Sequence, residues 1–506
     1  MNLINASYTP YSPMALSLFP MLRPFIKPFI IHPVWRPFRQ PFIKHPFVRR
    51  LVKPTVWPVV QRPPIRIQRE INNNPPTPAP SDKTDATLRA DDPHIIKSDR
   101  KSFDLERCIK QLSPTGNKWH DRNGDGKTEI AYTFRNGGFN QAQRLQAQLT
   151  MQAWGDVANL EFNESNQRSE GRLSFSIDRS VHSAVGHYPG NHPRAGDTAY
   201  NPGRVNRNDL THEIGHALGL HHPGNYNGTL NHSQRIHAQD SVAHTAMSYF
   251  GAQTSGKRVG TGRVLPKAPM MNDIAAIQKL YGINKQTRQG DTTYGFNSNS
   301  GRDFLSLNSR QDTAFFCVWD GGGNDTLDFS GYGANQIINL KAGSFSDVGG
   351  FEGNVSIARG ALLENAIGGS GHDALIGNAA DNRLTGGGGA DRLRGGDGAD
   401  TFVYNDAGDS TPGQPDTLMD FTTGTDKIDV AGAMKKANTP ALLFTQTFTG
   451  KAGESILAFD QASGRGTVSI DLTGNGHADL LIHTVGQVKP ADIVQSKTAL
   501  PPLQNT

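Results

Sequence analysis

The chain has 506 residues, of which 36% are hydrophobic and 19% charged, and its formal net charge is +5. This length allows two or three domains with cores of their own, and the absence of any run of about 18 apolar residues excludes a membrane-spanning helix. Two cysteines, Cys108 and Cys317, are too few for a disulfide framework and are expected to be buried or idle thiols.

Residues 1–70 form a strongly basic head. They contain 11 lysines and arginines against one acid, Glu70, so the head is basic while the rest of the chain is mildly acidic. The overall charge therefore gives no argument for nucleic-acid binding. The apolar stretch at 14–22 follows no basic residue and contains Pro20, which argues against a secretory signal peptide.

Prolines recur every four or five residues between positions 24 and 46, which predicts an extended, polyproline-like chain. Residues 71–87 have the composition of a disordered linker. We expect the whole of 1–95 to be a disordered extension, either a pro-segment that is removed or a tail without a role of its own. A membrane-active or host-defence peptide is the third alternative.

The globular pattern starts just after this extension. Apolar residues at steps of four predict an amphipathic helix that is followed by a strand. The apolar row consists of Leu145, Leu149, Ala153 and Val157. The segment DRNGDGKTEI at 121–130 resembles the start of a calcium loop, but Tyr132 stands where such a loop has glutamate, so a hairpin turn is preferred.

The stretch LTHEIGHALGLHHPGNYN at 210–227 contains four histidines and one glutamate. On a helix, His212 and His216 are one turn apart and face the same way, as two imidazole ligands of one zinc ion require. Glu213 projects from an adjacent direction, where it can act on a water molecule without being a ligand. This spacing predicts most of a zinc site.

A third ligand has to come from beyond the helix, so the chain must turn. Gly219 can adopt the backbone conformation that such a turn needs. The spacing H-E-x-x-H-x-x-G-x-x-H then selects His222, and we expect the ring of His221 to leave the site. Met247 is predicted to form a turn beneath the zinc.

A second helix, NDIAAIQKLYG, ends at Gly282, and the composition changes after it. Of the 55 glycines, 21 lie between residues 321 and 400. Most of them belong to nonapeptides of the pattern G-G-x-G-x-D-x-U-x, which is typical of a calcium-bound parallel β-roll. The repeats are 368–376, 377–385, 386–394 and 395–403, with a degenerate copy at 320–328.

Each repeat is predicted to form a glycine-rich turn and a short strand whose apolar residue points into the roll. These inward residues are Leu375, Leu384, Leu393 and Phe402. Because turns on one side recur every second repeat, calcium is expected to bridge 368–373 with 386–391, and 377–382 with 395–400. Asn382 stands where the pattern has aspartate, which predicts a weaker site.

Turn carbonyls and carboxylates are the hard oxygen ligands that calcium prefers. The expected ligands in the four repeats are Gly368, Ser370, Asp373, Gly377, Ala379, Asn382, Gly386, Gly388, Asp391, Gly395, Asp397 and Asp400.

These motifs resemble those of the serralysins, the alkaline zinc proteases among the metzincins. The likeness covers roughly residues 100–494 and includes HEIGHALGLHHPGNYN, AMSYF, NDIAAIQKLYG, VWDGGGNDTLDFSGY and ENAIGGSG. It implies an α+β metzincin-type catalytic domain followed by an all-β parallel β-roll and sandwich domain. The implied boundaries are 1–95 for the extension, 96–285 for the catalytic domain, 286–494 for the β-roll and C-terminal β domain with its export signal, and 495–506 for a tail.

The resemblance also implies an activity, that of a secreted, calcium-stabilised zinc metalloendopeptidase. Glu213 would be the general base, and Tyr249 would be a displaceable zinc ligand that stabilises the transition state. The substrate would lie along 183–190 as an added strand. The implied zinc ligands are His212, His216, His222 and Tyr249. The implied ligands of one further calcium ion are Arg288, Gly290, Thr292, Asp320, Gly322 and Asp325.

Serralysins leave the bacterial cell through type I export machinery that reads an uncleaved C-terminal signal, so the expected location is extracellular. Low cytoplasmic calcium would keep the repeats unfolded for export, and external calcium would fold them. The expected partners are protein and peptide substrates, the exporter and a proteinaceous inhibitor. A monomer that binds no nucleic acid is expected.

Three features depart from the family: the long basic extension, the residues that follow ADIV at 491–494, and Cys317. The alternative function is a non-catalytic, calcium-dependent adhesin or toxin built on the same repeats. Such a protein would not need Glu213 beside two helical histidines, nor Tyr249.

Overall fold

The computed structural model describes residues 98–135, 138–164, 169–261 and 264–496. The predicted basic extension and most of the predicted tail lie outside these residues. Among the helices of the described ranges, none combines the length and apolar character needed to cross a bilayer. Both cysteines are buried and free, as predicted.

The N-terminal part is a sheet covered by helices. Its elements are α1 (Leu105–Leu112), β1 (Thr128–Phe134), α2 (Gln141–Val157), β2 (Leu160–Glu164), β3 (Gly171–Ile177), β4 (Ala184–Gly186), β5 (Asp197–Tyr200), α3 (Arg207–Ala217) and α4 (Met271–Tyr281). Within the described residues the strand order is β2-β1-β3-β5-β4, with β4 as an antiparallel edge strand and the others parallel. Gly186 brings β4 so close to α3 that a Cβ there would collide with the carbonyl of Glu213.

Helix α2 is the predicted amphipathic helix, but only the C-terminal half of the predicted apolar row belongs to its buried face. Asn140 and Gln143 form a capping box at its start, which satisfies free backbone donors. Leu145 is 52% exposed, whereas Met151 and Trp154 are fully buried. The bulky Trp154 packs beneath α3 against Gly215, and this contact sets which face of α2 turns inward.

The prediction of a hairpin turn at 121–130 is wrong. Strand β1 pairs with β2 and β3, and both pairings are parallel. The segment before β1 is instead a compact loop in which the carboxylate of Asp121 accepts bonds from the amides of Gly124 (2.6 Å) and Gly126 (2.9 Å). In a parallel sheet the partner of a strand comes from far along the chain and not from across a tight turn. The turn residues of this loop therefore do not indicate a hairpin.

The two predicted helix ends are confirmed. Gly219 follows α3 with a φ of +106°, and a Cβ there would collide with the carbonyl of Asn117. Gly282 ends α4 with a φ of +84°. The turn at Gly219 sends the chain back across the C-terminal end of α3. The residues after Gly219 therefore lie beside this helix.

The C-terminal part consists of short strands with one helix, α5 (Ala431–Ala437). The strands are β6 (Thr293–Gly295), β7 (Phe316–Val318), β8 (Thr326–Asp328), β9 (Ile337–Asn339), β10 (Phe345–Ser346), β11 (Val355–Ile357), β12 (Asn365–Ile367), β13 (Ala374–Ile376), β14 (Arg383–Thr385), β15 (Arg392–Arg394), β16 (Thr401–Val403), β17 (Asp416–Leu418), β18 (Lys427–Asp429), β19 (Leu443–Phe444), β20 (Glu454–Asp460), β21 (Arg465–Asp471), β22 (Leu480–Val485) and β23 (Ile493–Val494).

Strands of the repeats alternate between two parallel sheets. Strand β13 pairs with β15, so that Leu375 lies beside Leu393, and β14 pairs with β16, so that Leu384 lies beside Phe402. All four of these side chains are fully buried between the sheets. The predicted β-roll is confirmed, and so is the prediction that each repeat lies beside the second repeat after it. The fold class is also the predicted one. Strands β20 to β22 extend one sheet in antiparallel fashion.

Ion pairs connect the helices of the N-terminal part to the first turns of the roll. Asp156 of α2 accepts hydrogen bonds from Arg288 (2.9 Å) and Arg302 (2.7 Å), and all three side chains are mostly buried. Arg207, in the first turn of α3, pairs with Asp303 at 3.2 Å. The helix that carries the histidines is therefore tied directly to the β-roll.

Candidate active site and calcium turns

Three imidazole rings meet at the end of α3. His212 and His216 lie one helical turn apart, and the turn at Gly219 brings His222 against both. Nε2 of His222 is 3.1 Å from Nε2 of His212 and 3.1 Å from Nε2 of His216. In the described residues these three form the one group of at least three His, Cys, Asp or Glu side chains whose ligand atoms all lie within 4.8 Å of one another.

The other nitrogen of each ring is occupied. Nδ1 of His212 lies 2.9 Å from the carbonyl of Ala246, Nδ1 of His216 is 2.7 Å from that of Leu220, and Nδ1 of His222 is 2.9 Å from that of Tyr226. A carbonyl can only accept, so each Nδ1 carries the proton and each Nε2 presents a lone pair.

Three lone pairs that point at one another cannot form hydrogen bonds, but they can bind a cation. Tetrahedral ligands of zinc lie about 3.3 Å apart, close to the observed separations. Burial lowers the pKa of His212 to about 4 and that of His222 to about 3, so both rings are neutral. The pKa of His216 is lowered as well, first by burial and then by the neighbouring imidazoles. The donor set therefore fits zinc.

Glu213 is buried beside this group without being part of it. Burial raises the pKa of its carboxyl to about 8, the charge of Asp209 adds to the shift, and a hydrogen bond from the backbone of Gly186 opposes it. The same glycine lies against the backbone carbonyl of Glu213 on α3. The carboxyl group of Glu213 therefore contacts the edge strand β4.

Tyr249 and Met247 come from the segment after the histidines. The ring of Tyr249 is 4.6 Å from that of His222 and 5.6 Å from that of His212. Burial raises the pKa of its phenol, and a hydrogen bond from the backbone of Gly228 opposes this. Met247 is fully buried beneath Gly215, the residue that precedes His216 on α3.

The ring of His221 lies outside the histidine group. It stacks on Tyr188, with ring centroids 4.1 Å apart, and burial lowers its pKa. Tyr188 in turn contacts His216 edge-on at 5.3 Å. The two adjacent histidines therefore contact different tyrosines, since His222 stacks on Tyr226 at 5.2 Å.

The turn from Arg288 to Thr292 lies against the turn that precedes β8. A Cβ on Gly323 would collide with the carbonyl of Gly290. The amide of Thr292 donates to Asp325 at 2.8 Å, while Oδ2 of Asp325 is buried and has no hydrogen-bond partner in the described structure. Burial raises the pKa of Asp325 to about 8. A buried carboxylate oxygen without a donor is a suitable cation ligand.

Two further acids belong to this pair of turns. Asp320 accepts bonds from the amide of Gly322 (2.6 Å) and from the hydroxyl of Tyr294. Glu364, which precedes β12, accepts a bond from the amide of Asp325 at 2.7 Å. Burial raises the pKa of Glu364. Glu364 was not predicted, because it stands just before the first full nonapeptide at 368–376 and is no part of the repeat pattern.

On one side of the roll the turns stack through aspartates. The amide of Asp373 donates to Asp391 (2.7 Å), and the amide of Asp391 donates to Asp416 (2.8 Å). Oδ2 of Asp391 and Oδ2 of Asp416 are buried without partners in the described ranges. Burial raises the pKa of Asp391 to about 7 and that of Asp416 to about 9. Gly368 faces the carbonyl of Gly386, as expected for paired turns.

The other side of the roll repeats this arrangement, except that the side chain of Asn382 stands in the place of one aspartate. The amide of Asn382 donates to Asp400 (2.8 Å), and the amide of Asp400 donates to Asp426 (3.1 Å). Burial raises the pKa of Asp400 to about 7. Gly377 faces the carbonyl of Gly395. The remaining predicted ligands of the two sides, Ser370, Ala379, Gly388 and Asp397, occupy these same turns.

Asp416 and Asp426 were not predicted, although the sequence contains a signal for them. Each starts a triplet of aspartate, any residue and a buried apolar residue, DTL or DKI. The repeats contain the same triplet in DAL, DRL and DTF. Most of the glycines of the pattern are missing from the two later copies, so a search for the full nonapeptide passes over them.

Family models match both parts of the chain. The model described as Astacin, which represents a peptidase family, matches residues 115–255. The model described as Peptidase M10 serralysin C terminal matches residues 283–495.

Curated relatives are similar over the same span. Metalloprotease AprA of Pseudomonas entomophila (strain L48) is 45% identical over 440 residues, which cover 78% of this chain and 91% of the relative. Serralysin C of Dickeya chrysanthemi is 44% identical over 444 residues, with 78% and 91% covered. Metallopeptidase AprA of Pseudomonas marginalis is 43% identical over 440 residues, with 78% and 92% covered.

Proposed function

Because the chain belongs to the serralysin family, we propose that His212, His216 and His222 hold its catalytic zinc and that Glu213 is the general base. The protein is a zinc metalloendopeptidase that acts on protein substrates. The observation that supports the residue roles is the convergence of three imidazole lone pairs beside one buried carboxylate. The adhesin alternative has no support from the relatives.

When bound, zinc supplies a Lewis acid that polarises a carbonyl and activates water. Glu213 would accept the proton of the attacking water and pass it to the leaving amine. The phenol of Tyr249 donates a hydrogen bond to the oxyanion that develops on the scissile carbonyl. Each of these groups is held by backbone contacts before a substrate arrives, which lowers the cost of orientation.

The substrate peptide is proposed to pair with β4 as a further antiparallel strand. This strand ends its sheet, and its residues from Ala184 to Gly186 are half-buried. An edge strand offers unpaired backbone donors and acceptors to an extended peptide. Because Gly186 also contacts Glu213, a peptide bound there would pass directly over the general base.

Calcium is proposed to bind between the stacked turns of the roll. The predicted ligands of the repeats are joined by Asp416, Asp426 and Glu364, since these acids continue the same hydrogen-bonded stacks. Buried carboxylate oxygens without donors support this proposal, because a cation satisfies them.

The domain boundaries are proposed to be those of the sequence analysis, with catalysis in 96–285 and calcium binding in 286–494. Secretion by type I export, a removable basic pro-segment, a monomeric state and a proteinaceous inhibitor remain proposals drawn from the family resemblance. The export proposal is consistent with a roll that needs external calcium to fold.

The neighbouring residues His221 and His222 allow a test of the proposed zinc site. His222→Ala should lose zinc and all cleavage of an unfolded protein substrate, whereas His221→Ala should keep one zinc per chain and most of its activity. Metal content by mass spectrometry and cleavage by gel assay distinguish the two variants. If His221→Ala loses zinc while His222→Ala retains it, the proposed ligand set is wrong.

A further inference from the structure

Tyr226 contacts both the third histidine and Tyr249, although neither the motif nor the proposed mechanism uses it. Its ring stacks on His222 with centroids 5.2 Å apart and is 4.9 Å from the ring of Tyr249. Its backbone carbonyl is the acceptor for Nδ1 of His222 at 2.9 Å. The backbone and the ring of Tyr226 therefore both contact His222, and the ring also contacts Tyr249.

The hydroxyl of Tyr226 is engaged in a separate buried network. It donates to Oδ1 of Asp240 at 2.8 Å and accepts from the backbone amide of Tyr249 at 3.4 Å. Asp240 also accepts from the hydroxyl of Ser248 at 2.6 Å, and Ser248 accepts from the amide of Phe250 at 3.1 Å. The backbone on both sides of Tyr249 is thus tied to one buried carboxylate.

A residue that only filled space would not need this hydroxyl. Tyr226 is 4% exposed and Asp240 is fully buried, so both groups have lost their hydration. Burying a hydroxyl and a carboxylate is costly unless they satisfy each other and something else that the fold needs. Here the additional partner is the main chain that carries Tyr249.

We propose that Tyr226 is a positioning residue whose hydroxyl, held by Asp240, sets the location of the Tyr249 phenol. This inference rests on the proposed role of Tyr249 in stabilising the transition state. The two ends of Tyr226 have separate effects: the ring and carbonyl orient His222, and the hydroxyl orients Tyr249.

Tyr226→Phe separates these effects, because it removes the hydroxyl and keeps the ring and the carbonyl. Zinc affinity, measured by competition with a chelator, should stay within about twofold, and KM should change little. The kcat should fall about tenfold, as expected for a small displacement of a group that acts in the transition state. Tyr332→Phe is the matched control: this residue of the roll is also 4% exposed and donates to the carbonyl of Asp312 at 2.7 Å.

The deciding experiment is a double-mutant cycle with Tyr249→Phe, measured as kcat on the calcium-saturated zinc enzyme. If Tyr226 acts through Tyr249, then Tyr226→Phe costs about tenfold in the wild type and little or nothing in the Tyr249→Phe background. Asp240→Asn should show the same dependence, which keeps the test decisive if one variant folds poorly.

Two results would overturn the inference in distinguishable ways. If Tyr226→Phe lowers kcat equally in both backgrounds, or no more than Tyr332→Phe does, Tyr226 does not position Tyr249, and the proposed mechanism is untouched. If Tyr249→Phe alone leaves kcat unchanged, the proposed role of Tyr249 fails and the inference fails with it.

Discussion

The histidine site and the aspartate turns are prepared for a cation in opposite ways. Each histidine is neutral and has its second nitrogen bound to a backbone carbonyl. In the turns, Asp325, Asp391 and Asp416 are buried, and each keeps an oxygen without a partner in the described structure. Burial raises the pKa of all three carboxyls. The histidine site can therefore exist before its metal arrives, whereas the turns need theirs for stability.

Removing each metal in turn should give the largest contrast. Calcium removal by EGTA, with zinc restored, should unfold the roll, because each site saturated at about 1,000 times its Kd contributes about 4 kcal/mol and a domain has only about 5–15 kcal/mol in total. Zinc removal should abolish cleavage and leave the fold intact. Far-UV circular dichroism and a cleavage assay measure the two effects. Equal loss of β signal on removal of either metal would contradict the comparison.

The two regions should also be coupled through Asp156. Asp156→Asn weakens the charge pairs with Arg288 and Arg302, and breaking a mostly buried pair should lower the free energy of unfolding by about 3 kcal/mol. Chemical denaturation in calcium measures this. Glu161→Gln is the control, because its pair with Lys127 is exposed and should contribute less than about 1 kcal/mol. Equal effects of the two variants would show that the ion pairs do not hold the parts together.

A smaller effect, on calcium affinity, is expected at Asn382, the residue with an uncharged side chain among the stacked aspartates. Asn382→Asp should raise the calcium affinity of its turn pair by about tenfold, or about 1.4 kcal/mol, because a carboxylate binds calcium better than an amide. Without calcium, the same variant should be less stable than the wild type, since it adds a buried charge.

Calcium titrations followed by circular dichroism measure this change. Asp397→Asn should have no such effect, because the side chain of Asp397 is exposed and we expect this residue to offer calcium its backbone carbonyl, which the substitution keeps. An unchanged affinity in Asn382→Asp would remove Asn382 from the ligand set.

Features with a short, regular spacing could be predicted from the sequence. The common face of His212 and His216 could be predicted because a helix has a fixed period. The end of α3 could be predicted because glycine commonly follows the last residue of a helix. The inward-facing residues of the roll, and the pairing of every second repeat, could be predicted because one nonapeptide recurs. In these cases local geometry decides the contact.

Contacts between distant segments could not be predicted. Tyr226 and Asp240 come together only because the loop after α3 folds back over the segment before Tyr249. Glu364 meets Asp325 through strand pairing in the roll. The exposure of Leu145 depends on which face of α2 packs beneath α3. Side-chain periodicity alone contains none of this information.

The most direct test of the central claim is cleavage of an unfolded protein by wild type and by Glu213→Gln, each with zinc and calcium bound and matched by metal content. The proposed function predicts that the variant keeps its zinc and its fold but loses about 10²–10⁴-fold in kcat, the contribution of a general base. Cleavage by the variant at the wild-type rate would show that Glu213 is not the base and that the activity does not arise from this site as described.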